Sequence, residues 1–262
     1  MDFTVLTIFP GIFNSFLEYG IIRRAILNKK INVLPLNIRE FATDKHSATD
    51  DRPYGGGPGM VMKPEPLSLA IKKAKEIAPL SKTILLTPQG KTFNQDLARS
   101  FSNLDGLILI CSRYEGPDER ICYNYIDEEI SIGDYVLTGG EIAAMIIIDA
   151  VTRLIPGTLG AEDSAEKDSF TNNLLDHANY TRPRSFEGEE VPEVLLSGNH
   201  LNIFKWRLED SLIRTFLKRP DLLEQRLYNR EEVEILKKWC KELDRIIQTQ
   251  SIHSSFTLSC NK

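Results

Sequence analysis

No apolar run in this chain is long. The longest uninterrupted stretch, Ile142 to Ile148, falls far short of the roughly 20 residues needed to cross a bilayer. The start, Met1-Asp2-Phe3-Thr4, also lacks a basic n-region, so the sequence predicts a cytoplasmic protein without a membrane segment. Cysteine is sparse: Cys111, Cys122, Cys240 and Cys260 are scattered with no C-x-x-C pair, which fits neither a disulfide framework nor a zinc site. The four histidines, His46, His177, His200 and His253, are equally dispersed and show no metal-ligand spacing. A hard cation held by carboxylates would leave no such signature, so Mg²⁺ stays open. Nucleophile signatures are missing too. There is no Gly-x-Ser-x-Gly elbow, and Gly90-Lys91-Thr92 ends like a phosphate-binding loop whose first glycine would fall at Leu85. Gly55-Gly56-Gly57-Pro58-Gly59 has the spacing of a dinucleotide-binding loop, yet no strand precedes it and no helix opens at once after it. Covalent hydrolysis and nucleotide hydrolysis are thereby disfavoured, and proton transfer has to be sought among carboxylates.

What is present is a chain of 262 residues, 42% hydrophobic, able to bury one large core or two ordinary ones. Its formal net charge of -5 is unevenly spread. Residues 127–190 hold 14 acidic and 4 basic residues, so the remainder of the chain is net positive at +5. Segment 201–219 alone counts five Lys/Arg against two Asp/Glu. A basic periphery around an acidic centre is compatible with a polyanion partner.

Apolar runs at Phe3 to Ile8, Ile31 to Ile38, Thr83 to Thr87 and Leu107 to Cys111 read as strands. Between and after them, Ile12 to Leu27, Pro64 to Ala78, Phe93 to Phe101 and Asp118 to Tyr125 read as helices. This alternation predicts an α/β fold with a mostly parallel sheet covered by helices. Ser131 to Glu141 strings three glycines through a strand-like segment that runs into an almost wholly apolar helix, Glu141 to Arg153, which reads as central core or as buried against a partner chain. Glycines there let backbone approach a flat heterocycle. Thr87-Pro88-Gln89-Gly90 and Ser112 to Arg120 likewise follow apolar runs, and three loops at the carboxyl ends of strands predict one shared pocket. Residues 154–190 lose all periodicity. Beyond them Leu201 to Arg219 shows an apolar stripe of Leu201, Phe204, Leu208, Leu212 and Phe216, with Pro220 as a stop, and Asn229 with Glu232 predicts a capping box for a last helix carrying Val233, Leu236, Cys240 and Leu243 on one face. The resulting division is a cofactor-binding domain over 1–160, a flexible linker over 161–175, a C-terminal helical domain over 176–250 and a disordered tail over 251–262.

Taken together, Asp51 to Met60, Pro88-Gln89-Gly90, Arg113 to Arg120, Ile132 to Glu141, Tyr180-Thr181-Arg182-Pro183 and Leu195 to His200 closely resemble the bacterial tRNA (guanine-37-N1)-methyltransferases, in order along residues 1 to 245. That family belongs to the SPOUT methyltransferases. The resemblance implies a trefoil knot in the first domain, a homodimer with active sites at the subunit interface, S-adenosylmethionine as methyl donor and the anticodon branch of tRNA as partner.

By the same resemblance the cofactor pocket uses Leu86, Thr87, Pro88, Ser112, Glu115, Ser131, Ile132, Gly133, Asp134, Tyr135, Val136, Leu137, Gly139 and Gly140. Asp168 is implied as the general base toward guanine N1, and Arg153 as the cation beside guanine O6. A neutral N1 is a poor nucleophile, so deprotonation concurrent with attack lowers the barrier. An ordinary aspartate, with a pKa of about 3.9, is a weak base for that proton, so the guanidinium is expected to acidify guanine itself. Glu115 and Asp168 are implied as ligands of a possible Mg²⁺. Substrate contacts are expected from His46, Asp50, Gly57, Gly59, Asp176, Arg207, Arg214 and Lys218, the last three read as lying opposite the apolar stripe of their helix. Departures from the family pattern are Ser112 for Gly, Ala143 for Pro, Asn179 for a His-like residue and Asn173 for Gly. The competing readings are a SPOUT-fold RNA-binding factor without catalysis and a methyltransferase with a different RNA target.

Overall fold

The computed structural model describes residues 1–159, 168–170, 173–224 and 226–249. The chain divides into two compact units, Met1–Ala165 and Glu166–Lys262.

In the first unit, five strands form one sheet in the order β2-β1-β6-β5-β7, every neighbouring pair parallel. They are β1 (Asp2–Thr7), β2 (Asn32–Asn37), β5 (Lys82–Thr92), β6 (Gly106–Cys111) and β7 (Glu128–Ser131), with the short antiparallel pair β3 (Asp50–Asp51) and β4 (Val61–Met62) set apart. The helices are α1 (Asn14–Glu18), α2 (Gly20–Leu27), α3 (Pro64–Ile77), α4 (Gln95–Ser102), α5 (Glu119–Tyr125) and α6 (Glu141–Thr152).

Side chains alternate across the sheet and generate two cores. Phe3, Val5, Ile84, Leu86, Leu107 and Leu109 pack on one face against α2, α4 and α6; Leu6, Ile8, Leu85, Ile108 and Ile110 pack on the other against α3 and α5. Central β6 is buried along its whole length, which is why it reads as a continuous apolar run rather than an alternating one.

Three boundaries and one helix face differ from a reading of every apolar run as regular, fully buried structure. The stretch from Ile12 to Leu27 is the end of a 3-10 turn followed by two helices, which part where Tyr19 is extended and Gly20, the first residue of α2, adopts a φ of 65°. β5 runs on to Thr92: Leu86 and Lys91 both face Ile130 of β7, so residues 87–90 leave the ladder and return to it. β7 ends at Ser131, and 132–140, expected to be strand-like, is a loop. Helix α6 does pack Ala144, Ile147, Ile148 and Val151 into the core, but Ile142 and Ile146 face outward, 51% and 41% exposed.

The second unit contains β8 (Ser185–Phe186), β9 (Glu189–Glu190), α7 (Glu193–Leu196), α8 (His200–Lys218), α9 (Pro220–Glu224) and α10 (Arg230–Thr249). The capping box of α10 forms reciprocally: Asn229 N–H donates to Glu232 Oε2 and Glu232 N–H to Asn229 Oδ1, both at 2.9 Å. Pro220 does not merely stop α8; it opens α9. The expected stripe of α8 is corrected. Leu212 is buried as expected, but Leu201, Phe204 and Phe216 are exposed, and Ser211 and Thr215 take buried places instead. The Thr215 hydroxyl accepts Leu175 N–H at 3.0 Å, and Asp210 accepts Ala178 N–H at 2.6 Å. Backbone donors of segment 175–178 thus require polar acceptors on α8, and they turn the helix away from its most apolar face. Most of the predicted linker and all of the predicted tail fall outside the described residues.

Candidate active site

The carboxyl ends of β5, β6 and β7 converge on one cavity of about 240 Å³, walled by residues 86–89, 112–116, 130–133 and 135–140 with Ala143. All of the predicted cofactor residues line it except Asp134, which is exposed beside it. Gln89, Arg113, Tyr114, Gly116 and Thr138, which belong to the three loops expected to share the pocket, line it as well, and so do Ile130 and Ala143, which lie outside those loops.

Close backbone approach gives the cavity its shape. A Cβ on Gly140 would stand 2.7 Å from Cys111 Cα, and Gly140 N–H donates to Ser112 O at 2.9 Å, so the third loop lies directly on the second. A side chain on Gly139 would enter the Arg113 guanidinium, and one on Gly90 would enter the backbone of β7. Within the third loop, Tyr135 N–H donates to Gly133 O at 2.9 Å and the Tyr135 hydroxyl to Ile132 O at 3.2 Å. The Ser112 hydroxyl donates to Leu86 O at 2.5 Å. Its departure from glycine therefore ties two strand ends together.

Beneath the glycine pair sits an ion pair. Glu141, buried in the first turn of α6, accepts the Thr7 hydroxyl at 2.8 Å and Arg113 Nε at 3.3 Å through Oε1. Its Oε2 stands 2.9 Å from Arg113 Nη2 as an ion-pair contact, not a hydrogen bond. The same guanidinium donates to Thr138 O at 3.0 Å and lies 4.7 Å from the Phe9 ring centroid. One arginine thus fixes the third loop to the sheet. A carboxylate immediately after a Gly-Gly pair, at a helix start, is the sequence signal that marks it. Burial, reinforced by Glu141, pushes the neighbouring Cys111 thiol well up from its ordinary value, so it is no nucleophile.

The Gly55–Gly59 loop ends against this site. Met62 N–H donates to Gly116 O and Glu115 N–H to Met60 O, both at 2.9 Å, and a side chain on Gly59 would collide with Glu115. Gly55, Gly56, Gly57 and Gly59 all adopt positive φ. Asp50 lies on β3, paired with Met62, and the exposed His46 sits in a turn organised by Asp44. The Ala48 and His46 amides hold the Asp44 carboxyl below its usual value.

Arg153 ends α6, half-buried, its N–H bonded to Asp149 O at 3.1 Å. Asp168 belongs to the second unit. The residues after it are pinned there: Phe170 N–H donates to Leu174 O at 2.7 Å, Asp176 N–H to Ser169 Oγ at 2.9 Å, and Arg219 lies 5.9 Å from the Phe170 ring centroid. The Asp176 carboxylate accepts His177 N–H and the Asn179 amide, so that departure, Asn179, serves the turn. Arg214 stands 4.0 Å from Asp210, Lys218 is exposed, and Arg207 lines a separate cavity of the second unit. Among the described residues no group of three or more His, Cys, Asp or Glu could hold a metal ion, and Glu115 and Asp168 lie in different units. No helix among them is long and apolar enough to cross a membrane.

The tRNA (Guanine-1)-methyltransferase family model matches residues 1–225. The chain belongs to that family. It is 52% identical, over the full length of both chains, to a tRNA (guanine-N(1)-)-methyltransferase of Desulfatibacillum aliphaticivorans. It is 54% identical over 235 residues to the enzyme so named from Hahella chejuensis, covering 89% of this chain and 91% of that one. A Pseudomonas fluorescens relative of the same name is 52% identical over 241 residues, 92% of this chain and 96% of its own. Membership of this methyltransferase family assigns the chain methyl transfer to N1 of guanine in tRNA and implies S-adenosylmethionine as donor. The lining suits such a donor: an added Cβ would collide at Gly133, Gly139 and Gly140, and bare backbone there lets a flat heterocycle lie close.

Proposed function

We propose that the enzyme methylates N1 of the guanosine at tRNA position 37, immediately 3′ of the anticodon, with the cofactor held between the loops after β5, β6 and β7. The observation that carries the reading is the joining of those three loops around one glycine-lined cavity in a chain of this family. S-adenosylmethionine supplies an electrophilic methyl group there. Asp168 takes the N1 proton, and the Arg153 guanidinium stabilises the negative charge that develops on guanine O6 only in the transition state. His46, Asp50 and the Gly55–Gly59 loop help position the anticodon branch, while Arg207, Arg214 and Lys218 take its phosphates. Mg²⁺, which ordinarily takes one or two carboxylates and keeps several waters, would be held by Glu115 and Asp168.

We further infer that the interlocking of the three loops is a trefoil knot, that the second unit is the tRNA-binding domain, and that the enzyme works in the cytoplasm as a homodimer. Outward Ile142 and Ile146, two large apolar side chains on the exposed face of α6, support the dimer. The test is transfer of labelled methyl to a tRNA with guanosine at position 37 beside the same tRNA with adenosine there, using wild type and Asp168→Asn. Label on the first alone, lost in the variant, is the expected result. Label on both, or none with cofactor still bound, overturns the position and points to another RNA target or to a non-catalytic factor.

A further inference from the structure

The second unit holds a cavity of about 380 Å³, where the 177–184 segment and α7 meet α8. This volume lies at the low end of the range of roughly 300–1,000 Å³ that encloses a small organic ligand. It suits one nucleotide and cannot admit a helix. Its floor is apolar, with Leu195 and Ile203, and its rim carries His177, Tyr180, Arg182 and Arg207. The Tyr180 ring is half exposed and braced from behind by Trp206, whose centroid is 6.3 Å away at an interplanar angle of 57°. It is a fixed aromatic face, open on one side.

The charges around the cavity divide into those already spent and those available. Arg184 is paired with Glu190 and Glu193, Asp210 accepts Ala178 N–H and stands near Arg214, and Asp176 is consumed by its own turn. Arg182 and Arg207 make no ion pair or side-chain hydrogen bond among the described residues, and both are exposed. Two uncommitted guanidiniums flanking an aromatic face and an apolar floor are the parts from which proteins build sites for unstacked nucleotides: the face takes the base and the cations take its phosphates.

We propose that this cavity binds a single unstacked nucleotide of the substrate RNA, with the base against Tyr180 and the adjoining phosphates on Arg182 and Arg207. The proposal rests on the tRNA reading above and adds a contact that reads a splayed-out base, where α8 alone would offer only charge.

The test uses the full-length protein and unmodified tRNA. Affinity is measured across a salt series for wild type, Tyr180→Ala, Tyr180→Phe and the double variant Arg182→Ala/Arg207→Ala, and cofactor affinity is measured calorimetrically for each. Tyr180→Ala is expected to weaken tRNA binding roughly tenfold, as loss of one stacked base does, and Tyr180→Phe to restore it. The double variant is expected to lower the slope of log affinity against log salt by roughly one to two. Cofactor affinity stays unchanged throughout. Wild-type tRNA affinity in Tyr180→Ala and in the double variant overturns the proposal and leaves the enzyme's substrate intact. Equal losses in Tyr180→Ala and Tyr180→Phe overturn it as well, since they assign the hydroxyl a structural role. If wild type binds cofactor but neither binds nor methylates tRNA, the tRNA reading fails and this site fails with it.

Discussion

Glu141 and Gly140 are adjacent in sequence and hold the cavity in opposite ways, one by charge and one by the absence of a side chain. Removing Glu141 strands the Arg113 guanidinium, which is only 18% exposed, and releases the third loop from Thr138 inward. Glu141→Ala is therefore expected to lower stability by about 3–5 kcal/mol, the usual loss when one partner of a buried pair is deleted, as measured by denaturant unfolding. Gly140→Ala inserts a methyl group against the Cys111 backbone, which cannot rotate away. It is expected to cost about 1–3 kcal/mol and, more tellingly, to weaken cofactor binding measured by calorimetry, because the loop must lift off the second strand end. The glycines of this pair were legible in the sequence as a place of close approach. Arg113 was quoted only as part of a motif, and nothing in linear spacing says that its side chain reaches 28 positions ahead to Glu141.

Among the elements, α5 is short and depends on its cap. Asp118 accepts Arg120 N–H at 3.0 Å and also grips the Arg120 guanidinium, at 2.8 Å from both Nε and Nη2. Chiefly through that side-chain contact, its carboxyl is held below the ordinary value. The stabilisation is thus fully present above the usual aspartate pKa of about 3.9 and disappears as pH falls through the lower, folded value. Asp118→Asn is expected to melt below wild type at pH 7, with the gap closing as the pH is taken toward 3 in thermal scans. Helices and strands with one strong pattern were readable: α3, β6 and the capping box of α10 stand where periodicity and turn chemistry put them. The face of α8 was misread because hydrophobic spacing weighs side chains alone. Here the backbone N–H groups of Leu175 and Ala178 needed Thr215 and Asp210, and that requirement outweighed the exposure of Phe204 and Phe216.

At the scale of the molecule, the outward isoleucines of α6 make the proposed dimer testable. Ile146→Glu is expected to shift the protein toward monomer in sedimentation velocity, and an unchanged sedimentation coefficient would remove α6 from any interface. Strand order was beyond the reach of sequence pattern: alternation of strands and helices predicts a parallel sheet, but only packing decides that β6 stands between β1 and β5. That placement has a consequence for biosynthesis. β1, β2 and β5 all leave the ribosome before the strand that joins them, and Asp2 waits for Gly106, about a hundred residues later. At roughly 5–20 residues per second, the nascent chain spends on the order of 5–20 s with Leu6 and Ile8 lacking Ile108 and Ile110, their neighbours in the core. Ribosome-stalled chains ending before Gly106 are expected to be cut readily by protease, while chains with α6 fully emerged resist. Production of this enzyme would then hinge on what shelters an unfinished sheet, a demand placed on the cell by one late-arriving strand.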